Sequence, residues 1–297
     1  MIINATTLRT LYTGYSAAFQ GGLSNVAPMY GRIAMTVSST TRQNEYGWLG
    51  KFPKVREWLG ERVVNSISVS AYAIRNRKFE LTVDVDVDDI EDDNLGVYTP
   101  MFTEMGSAVA AFPDELLWPM LPGGFTGLCY DGRPFFDANH PVLDANGNTI
   151  SVSNTGGGSG TAWYLIDDTR SIKPLIYQTR RPFQMRRMDA ATDENVFKEG
   201  KAIYGVDGRA NAGYGFWQLA YASKQALTAA NYAAARAAMS GMKGDYDRPL
   251  AIRPTRLVVP PSLEAAGREI LKAERNAAGA SNVWLASAEL EVVPWLS

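Results

Sequence analysis

The chain has 297 residues, of which 46% are hydrophobic and 20% are charged, and its formal net charge at pH 7 is −2. A chain of this length and composition can bury one large core or two smaller ones, which excludes compositional disorder. The nearly balanced charge excludes a strongly basic nucleic-acid-binding domain as a whole. No run approaches the roughly 18 apolar residues that span a bilayer. The N-terminus also lacks a secretory signal pattern, so we expect cytoplasmic synthesis and no membrane partner.

The first predicted elements are a helix and a strand. Apolar residues recur at helical spacing from Leu8 to Phe19. The pair Gly21-Gly22 then predicts the end of this helix, because glycine favours helix termini. A β-rich run at 33–37 predicts the first strand.

A long two-stranded arm is predicted next. Its strands are the β-rich runs at 66–74 and 79–87, which a charged turn at 75–78 joins. A hairpin isolated from its own core is marginal in water, so this arm needs a partner surface.

The acidic run from Asp84 to Asp93 begins like a calcium-binding loop. That loop needs glycine at its sixth position and glutamate at its twelfth, where this chain has Asp89 and Leu95. We interpret the run as the solvent face of a strand that leads into a helix, whose N-terminal dipole favours acidic residues.

A long helix is predicted over about 95–112, where apolar residues repeat every three or four positions and Pro113 should end the helix. A loop-rich stretch follows at 122–160. Its glycine run, Gly156–Gly160, predicts a flexible bridge, and we place a domain boundary near it.

The C-terminal half predicts a mixture of strands and helices. A strand at 257–259 should stop at Pro260-Pro261, because proline cannot donate to a sheet, and Ser262 should cap the helix that follows. The other elements expected here are strands at 162–166, 175–178 and 290–293 and an alanine-rich helix at 228–239. The class predicted for the whole chain is α+β.

The chain contains one cysteine, Cys129, and one histidine, His140. They cannot form an intrachain disulfide or supply the four ligands of a usual Cys/His zinc site. A thiol–imidazole dyad is the catalytic alternative, but the apolar neighbours of Cys129 favour a small buried hydrophobe. The chain also lacks a phosphate-binding glycine motif and a serine nucleophile elbow. We predict no catalytic residue, no metal, no cofactor and no enzymatic activity.

Aromatic and basic residues alternate between residues 40 and 65. Such a surface could bind RNA or sugar by stacking, or it could fold onto its own core. We favour a protein–protein interface, which prefers large aromatic residues and arginine. A carbohydrate-binding protein remains the alternative from another class, with stacking residues Trp48, Trp58, Trp163 and Trp217.

Arginines concentrate once in the sequence, at Arg170 and over 180–187. They could contact phosphate or form salt bridges between subunits. They could equally form a solvated face that pairs with nearby acidic residues such as Asp189 and Asp193. The sequence leaves both readings open.

Motifs distributed in order along nearly the whole chain carry a family resemblance. They are Lys51 to Arg62, Phe79-Glu80, Asp88 to Asp93, Trp163-Tyr164-Leu165, Lys173 to Ile176, Val196-Phe197, Tyr204-Gly205, Arg209, Trp217-Gln218 and Leu257 to Leu263. On these motifs the chain resembles the Mu-like bacteriophage major head subunit family of tailed-phage capsid proteins.

This resemblance implies a fold and its division along the chain. The fold would be the tailed-phage major capsid fold, with an arm, an extended loop (the E-loop), a peripheral domain with a long spine helix, and an axial domain. The implied ranges are 1–44 for the N-terminal arm, 45–78 for the E-loop, 79–159 for the peripheral domain (completed by about 286–297), about 89–120 for the spine helix, and 160–285 for the axial domain.

The resemblance also implies a function. The chain would be a major capsid protein that self-assembles, through a procapsid, as hexamers and pentamers into the icosahedral shell enclosing phage DNA. The alternative is the shell protein of a bacterial nanocompartment. Implied partners are other copies of the chain, a separate scaffold or protease protein, a portal, packaged double-stranded DNA and a decoration protein. The location would be the virion, after assembly in the host cytoplasm.

The predicted site residues belong to two groups. The expected contacts between subunits through the E-loop are Trp48, Lys51, Phe52, Lys54, Arg56, Trp58 and Arg62. The expected basic cluster, facing either a neighbouring subunit or DNA, is Arg180, Arg181, Arg186 and Arg187.

Overall fold

The computed structural model describes residues 5–49, 72–92, 95–275 and 278–296. The α-helices of the described residues are α1 (Ala5–Asn25), α2 (Val87–Glu91), α3 (Thr99–Leu117), α4 (Met120–Gly123), α5 (Glu194–Glu199), α6 (Ala229–Ser240) and α7 (Glu264–Leu271). Their strands are β1 (Ala34–Ser38), β2 (Gln43–Glu45), β3 (Ala73–Arg75), β4 (Arg77–Asp86), β5 (His140–Leu143), β6 (Thr149–Val152), β7 (Thr155–Gly158), β8 (Trp163–Ile166), β9 (Leu175–Met188), β10 (Lys201–Tyr214), β11 (Ala220–Lys224), β12 (Lys243–Gly244), β13 (Arg248–Pro249), β14 (Arg256–Val259) and β15 (Glu289–Val292).

Four strands, in the order β1-β9-β10-β4, form one sheet. Strand β1 runs parallel to β9, and β10 pairs antiparallel with both β9 and β4. Strands β9 and β10 are each 14 residues long, so β9 extends well beyond the predicted strand at 175–178. Helices α1 and α3 lie on this sheet around the stacked rings of Tyr15 and Phe102, and the ring of Tyr204 meets both edge-on.

Helices α1 and α3 touch backbone to backbone. A Cβ on Gly106 would lie 2.1 Å from the carbonyl oxygen of Phe19, and a Cβ on Gly22 would lie 1.9 Å from that of Thr103. No side chain fits at such distances, so the crossing requires glycine in both helices. The prediction that Gly21-Gly22 ends the first helix is wrong, because Gly22 packs onto α3 and α1 continues to Asn25.

Helix α3 runs through Pro113, which was predicted to end it. The residues beyond this proline explain why the helix continues. The carboxylate of Asp114 accepts hydrogen bonds from the backbone N–H of Met29 at 3.1 and 2.9 Å and from the indole N–H of Trp118 at 3.1 Å. Asp114 and Trp118 are buried, and this packing outweighs the one backbone hydrogen bond that a proline removes.

The described part of the arm predicted over 66–87 does not form a two-stranded hairpin. Strand β3 pairs antiparallel with β2, and β4 pairs antiparallel with β10 along its whole length. Val85 of β4 is fully buried in the core under the helices. Because its apolar residues alternate, β4 buries more by joining the helix-covered sheet than by pairing with the short β3.

Five further strands form a second sheet in the order β15-β14-β8-β11-β7. All four residues of β8 are buried, as expected for a central strand covered on both faces. The edge strand β7 lies where a flexible glycine bridge was predicted, so that prediction is wrong. At Gly158 the φ angle is +94°, and a Cβ would lie 2.4 Å from the carbonyl carbon of Lys224. Glycine therefore lets this edge strand close onto β11.

The strand-to-helix corner near the C-terminus is present, with a different start to its helix. Strand β14 ends at Val259, before Pro260, as predicted. A 3-10 turn then occupies Pro261–Leu263, because Pro261 presets a tight first turn. Helix α7 therefore begins at Glu264 without a side-chain cap, and the prediction that Ser262 caps it is wrong.

A buried ionic network fastens β14 and β15 to the end of β8. The Arg256 guanidinium lies 2.6 Å from Asp168 Oδ2 and 2.8 Å from Glu291 Oε2, and Arg32 also contacts Glu291. Thr255 donates its hydroxyl to Asp168 Oδ1 at 2.6 Å. Burial raises the pKa of Asp168, but hydrogen bonds from Thr255 and Arg256 outweigh burial and lower the pKa overall.

Candidate functional site

The described ends of the predicted E-loop pair with each other. Strands β2 and β3 set Gln43 opposite Arg75, Asn44 opposite Ile74 and Glu45 opposite Ala73. This short ladder brings the two ends of the segment 46–72 together. The base of the segment is therefore fixed by backbone hydrogen bonds.

The buried side chain of Gln178 joins both ends of that base to β9. Its amide nitrogen donates to the Ile74 carbonyl at 3.0 Å and to Asn76 Oδ1 at 2.8 Å. Its amide oxygen accepts a hydrogen bond from the Tyr46 hydroxyl at 2.7 Å. Burial raises the pKa of Tyr46 to about 12, so this phenol stays protonated and keeps donating.

Trp48 is the one predicted E-loop contact that lies among the described residues. It is half-buried, and its ring centroid lies 5.8 Å from that of Phe216 and 6.2 Å from that of Tyr46. The ring therefore packs on the core of its own chain, and its role between subunits stays a prediction. The other predicted E-loop contacts, Lys51, Phe52, Lys54, Arg56, Trp58 and Arg62, lie outside the described residues.

The tryptophans proposed for sugar binding are not on one surface. Trp163 and Trp217 are both buried, and the indole N–H of Trp163 donates to the Gln225 carbonyl at 2.8 Å. A sugar must stack on an exposed ring face. The carbohydrate-binding alternative is wrong for these two residues, because their rings fill the protein core.

The predicted basic cluster is largely paired with aspartates inside the same chain. Arg181 and Arg186 both contact Asp207, Arg186 at 2.9 Å. Arg187 contacts Asp189 at 3.2 Å. Arg180 is half-buried, and no ion pair to it is found within the described part of the chain. The cluster thus carries less free positive charge than its sequence indicates.

Arg187 has a second role that the sequence did not reveal, because it links helix α1 to strand β9. Its guanidinium donates to the carbonyl of Leu8 at 3.1 Å and lies 4.8 Å over the ring of Tyr12. Tyr12 in turn donates its hydroxyl to the Met185 carbonyl at 3.1 Å. This arginine stabilises the first helix on the sheet and is less available for external contacts than Arg186.

Two exposed aromatic residues lie outside the predicted site residues, although Phe197 belongs to a motif of the family resemblance. Phe197 of α5 is 83% exposed, and Tyr246 is 65% exposed at the turn between β12 and β13. Tyr246 and Asp247 both have left-handed backbone angles, with φ of 59° and 55°. In the sequence, the only sign of this turn is Asp245-Tyr246-Asp247, where two aspartates, which favour turns, flank one aromatic residue.

The two catalytic candidates, Cys129 and His140, meet through a third residue. Cys129 lies 3.0 Å from Asp131 Oδ1, and His140 Nδ1 lies 2.6 Å from Asp131 Oδ2. Burial, and then the hydrogen bond to Asp131, raise the pKa of the Cys129 thiol well above its usual range. The thiol is therefore protonated, and a carboxylate separates it from the imidazole that a dyad would need as its base.

Among the described residues, no helix is long and apolar enough to cross a membrane.

Solved structures resemble the fold described above, with its mixed helices and sheets, its long α3 and its pairing of β2 with β3. The subunit in the procapsid of bacteriophage JBD30 has a TM-score of 0.90 at 43% identity, covering 99% of this chain and 100% of that one. The subunit in the JBD30 capsid decorated with minor capsid protein trimers has a TM-score of 0.77 at 32% identity, covering 94% of each chain. The α+β fold is that of a tailed-phage major capsid protein, as predicted.

Sequence comparison narrows this class to one family. Residues 8–296 match the family described as Mu-like prophage major head subunit gpT. The chain is 42% identical over 289 residues to the major capsid protein of Escherichia phage Mu, which covers 95% of both. The chain belongs to this Mu-like major head subunit family, and its place is the capsid of the virion. These findings do not favour the nanocompartment alternative.

Proposed function

We propose that the chain assembles as hexamers and pentamers into an icosahedral shell that encloses double-stranded DNA. The observation that carries this proposal is the likeness, over nearly the whole chain, to the subunit of the JBD30 procapsid. Closed shells are built from contacts between unlike surfaces that close by symmetry. Such a subunit needs a rigid body and extended segments that reach its neighbours.

The E-loop is the first such segment in this proposal. Its base is held by the β2–β3 ladder and by the buried Gln178, so its position relative to β9 is set before assembly. A fixed base supports tight contacts because fewer degrees of freedom are lost on binding. We assign the contacts to Trp48 at the base and to Lys51, Phe52, Lys54, Arg56, Trp58 and Arg62 beyond it.

The division into arm, E-loop, peripheral and axial domains is carried over from the family as part of the proposal. Helix α3 falls within the range proposed for the spine helix, 89–120. The sheets join strands from distant ranges, since β4 pairs with β10 and β7 lies in one sheet with β14 and β15. We therefore infer that the peripheral domain is built around the helix-covered sheet, which takes β9 and β10 from the range predicted as axial. The axial domain is then built around the five-stranded sheet, which takes β7 and β15 from the ranges predicted as peripheral.

The basic cluster has a narrower role in this proposal than its sequence indicates. Arg187 binds its own helix α1, and Arg181 shares Asp207 with Arg186. Arg186 has a side chain that is 64% exposed and is the best placed of these three to reach outward. We assign Arg180 and Arg186 to contact a neighbouring subunit or the packaged DNA, because arginine binds carboxylates and phosphates alike.

Further partners follow from the family and from one solved relative. The JBD30 capsid is decorated with minor capsid protein trimers, which supports a decoration protein on the shell of this chain. A separate scaffold or protease protein and a portal complete the proposed partners. The role is structural and needs no catalytic step, in keeping with the buried, protonated thiol of Cys129.

Expression of the full chain together with the neighbouring genes tests the proposal. We expect closed shells with hexameric and pentameric units, seen by negative-stain electron microscopy of particles from a sucrose gradient. The chain expressed without the scaffold gene is the control and should give irregular or smaller particles. Monomers or small oligomers under every condition would contradict the proposal.

A further inference from the structure

The only cysteine and the only histidine of the chain lie at one aspartate. Cys129 and Asp131 belong to the loop between α4 and β5, and His140 is the first residue of β5. Asp131 binds the thiol through Oδ1 at 3.0 Å and the imidazole Nδ1 through Oδ2 at 2.6 Å. One sulfur, one nitrogen and one oxygen donor atom all lie within 4.8 Å of one another.

The surroundings hold these donor atoms in place. The loop closes through the Cys129 backbone N–H, which donates to the Arg133 carbonyl at 2.8 Å, and the Arg133 N–H donates to Asp131 Oδ1 at 3.0 Å. The His140 ring stacks on Trp217, with a centroid distance of 3.9 Å and an interplanar angle of 9°. The donor set is therefore ordered by backbone hydrogen bonds and aromatic packing before any ligand arrives.

His140 adds an independent observation. Its side chain is 0% exposed, yet its Nε2 atom has no hydrogen-bond partner among the residues that the structure describes. A buried polar atom without a partner is costly, and in native proteins such atoms often bind a water molecule or an ion. Because Nδ1 faces Asp131, Nδ1 is the nitrogen that belongs to the donor set, and the unpartnered Nε2 is the atom that can carry the imidazole proton when Nδ1 binds an ion.

We propose that this cluster binds one divalent transition-metal ion of the zinc type, with Cys129, Asp131 and His140 as protein ligands and a water molecule in the fourth position. A thiolate, an imidazole and a carboxylate suit Zn²⁺ or Co²⁺ and disfavour Mg²⁺ and Ca²⁺, which prefer oxygen ligands alone. On binding, the thiol proton leaves to solvent and the proton between His140 Nδ1 and Asp131 moves to His140 Nε2, so that metal–sulfur and metal–nitrogen bonds replace two bonds to hydrogen. No electron is transferred.

The three donor atoms lie within 4.8 Å of one another, so their spacing must change before they can share one ion. Donor atoms around a tetrahedral zinc ion lie about 3.3–3.6 Å apart, given metal–ligand bonds of about 2.0–2.3 Å. The carboxylate of Asp131 must therefore move outward from its present hydrogen bonds by several tenths of an ångström. The bound ion would fasten the loop between α4 and β5 to strand β5. This proposal is independent of shell assembly and departs from the sequence prediction of no metal, because a site with three ligands does not need a second cysteine or histidine.

Titration of the purified, chelator-treated full chain with Co²⁺ tests the proposal. Cobalt bound to sulfur gives a thiolate-to-metal charge-transfer band, and Cys129 is the only thiol that can produce it. We expect this band to saturate at one Co²⁺ per chain and to be displaced by Zn²⁺. Saturating Zn²⁺ should also raise Tm by about 3 °C or more, because the ion binds the folded state. A wild-type chain without the band overturns the proposal.

Two variants complete this experiment. Cys129→Ser keeps a donor to Asp131 but removes the sulfur ligand, so it should lose the band and weaken Zn²⁺ binding at least about tenfold. Asp92→Asn removes an exposed carboxylate elsewhere and should leave both unchanged. Equal Zn²⁺ affinity in wild type and Cys129→Ser would show adventitious binding and overturn the proposal. If Cys129→Ser does not fold, the wild-type cobalt spectrum alone decides.

Discussion

The two sheets of this protein are stabilised in different ways. The five-stranded sheet is covered on both faces at β8, and a buried ionic network ties its strands β14 and β15 to the end of β8. The helix-covered sheet has its core on one face, where α1 and α3 pack around Tyr15, Phe102 and Tyr204. Strands β9 and β10 join the two regions, since their residues contribute to both cores.

The difference between the regions predicts where the subunit responds to its neighbours. A sheet covered on one face has fewer apolar contacts per residue and is expected to open more readily than one covered on both faces. The half-exposed part of β9, from Thr179 to Met188, lies in this region. We therefore expect the five-stranded region to behave as a rigid body and the helix-covered region to gain stability in the assembled shell.

Breaking the contact between α1 and α3 should have the largest effect. Gly106→Val would put side-chain atoms onto the Phe19 carbonyl, where even a Cβ lies at 2.1 Å, so the helices must separate. We expect a loss of about 4–5 kcal/mol or more in the free energy of unfolding, measured by chemical denaturation. Gly14→Ala is the matched control, because nothing lies within 4 Å of a Cβ there. It should stabilise α1 by up to about 1 kcal/mol. Equal stability of the two variants would refute the close crossing.

Removing the central charge of the ionic network should have the next largest effect, this time in the five-stranded region. Arg256→Ala leaves Asp168 and Glu291 buried without their shared partner. Breaking a buried charge pair in this way costs about 3–5 kcal/mol. Urea denaturation measures the loss, with Arg268→Ala as the control, since within the described ranges that exposed arginine forms an ion pair with Glu264 alone. A cost below about 1 kcal/mol would mean that the network contributes little.

The pH dependence of stability tests the same ionic network. The folded-state pKa of Asp168 is lowered, because the hydrogen bonds from Thr255 and Arg256 outweigh burial. This carboxylate therefore stabilises the fold fully above its unfolded pKa of about 3.9, and its contribution is lost as the pH falls through the folded pKa. We expect the free energy of unfolding of wild type to fall below about pH 4. Arg256→Ala should show a shallower fall over that range. Parallel acid profiles would exclude Asp168 as the cause.

Loosening helix α1 without disturbing the helix crossing should have a smaller effect. Arg187→Gln loses the contacts to the Leu8 carbonyl, to Asp189 and to the ring of Tyr12. We expect a cost of about 1–2 kcal/mol, seen as faster hydrogen exchange in α1. Arg186→Gln is the matched control, because its exposed ion pair should contribute less than about 1 kcal/mol. If hydrogen exchange in α1 is unchanged in Arg187→Gln, Arg187 does not hold α1 on the sheet.

Local sequence patterns predicted which segments form helices and strands. Contacts between residues far apart in the chain decided which strands pair and where the segments pack. The alanine-rich helix, the apolar strand β8 and the stop at Pro260 were correct because each depends on neighbouring residues alone. The alternation of β4 fits either β3 or β10, and only the core under α1 and α3 selects β10. The glycines at 156–158 fit a linker or an edge strand, and the approach of Lys224 selects the strand.

The candidate sites were predicted unevenly for the same reason. The local concentration of arginines selected the basic cluster, but the pairing of Arg187 with α1 depends on a contact 179 residues away in the chain. Cys129 and His140 were noted for their rarity, whereas Asp131 between them was not, because one aspartate among many carries no signal in a sequence. Residues 50–71, which hold most predicted E-loop contacts, lie outside the described residues.

The smallest effect on subunit stability is expected from the E-loop itself. Trp58→Ala and Arg56→Glu should leave the denaturation midpoint of the isolated subunit nearly unchanged but lower the yield of closed particles, because a few aromatic and arginine anchors carry most interface energy. Trp48→Ala is the contrasting variant. Its ring packs on Phe216 and Tyr46 within the chain, so it should lower subunit stability by about 2–3 kcal/mol. Sucrose-gradient particle yield and denaturation of the same preparations measure both quantities. Normal particle yield in Trp58→Ala and Arg56→Glu would show that these two residues do not form the proposed contact between subunits. The base of the loop at β2 and β3 would then be the remaining candidate for that contact.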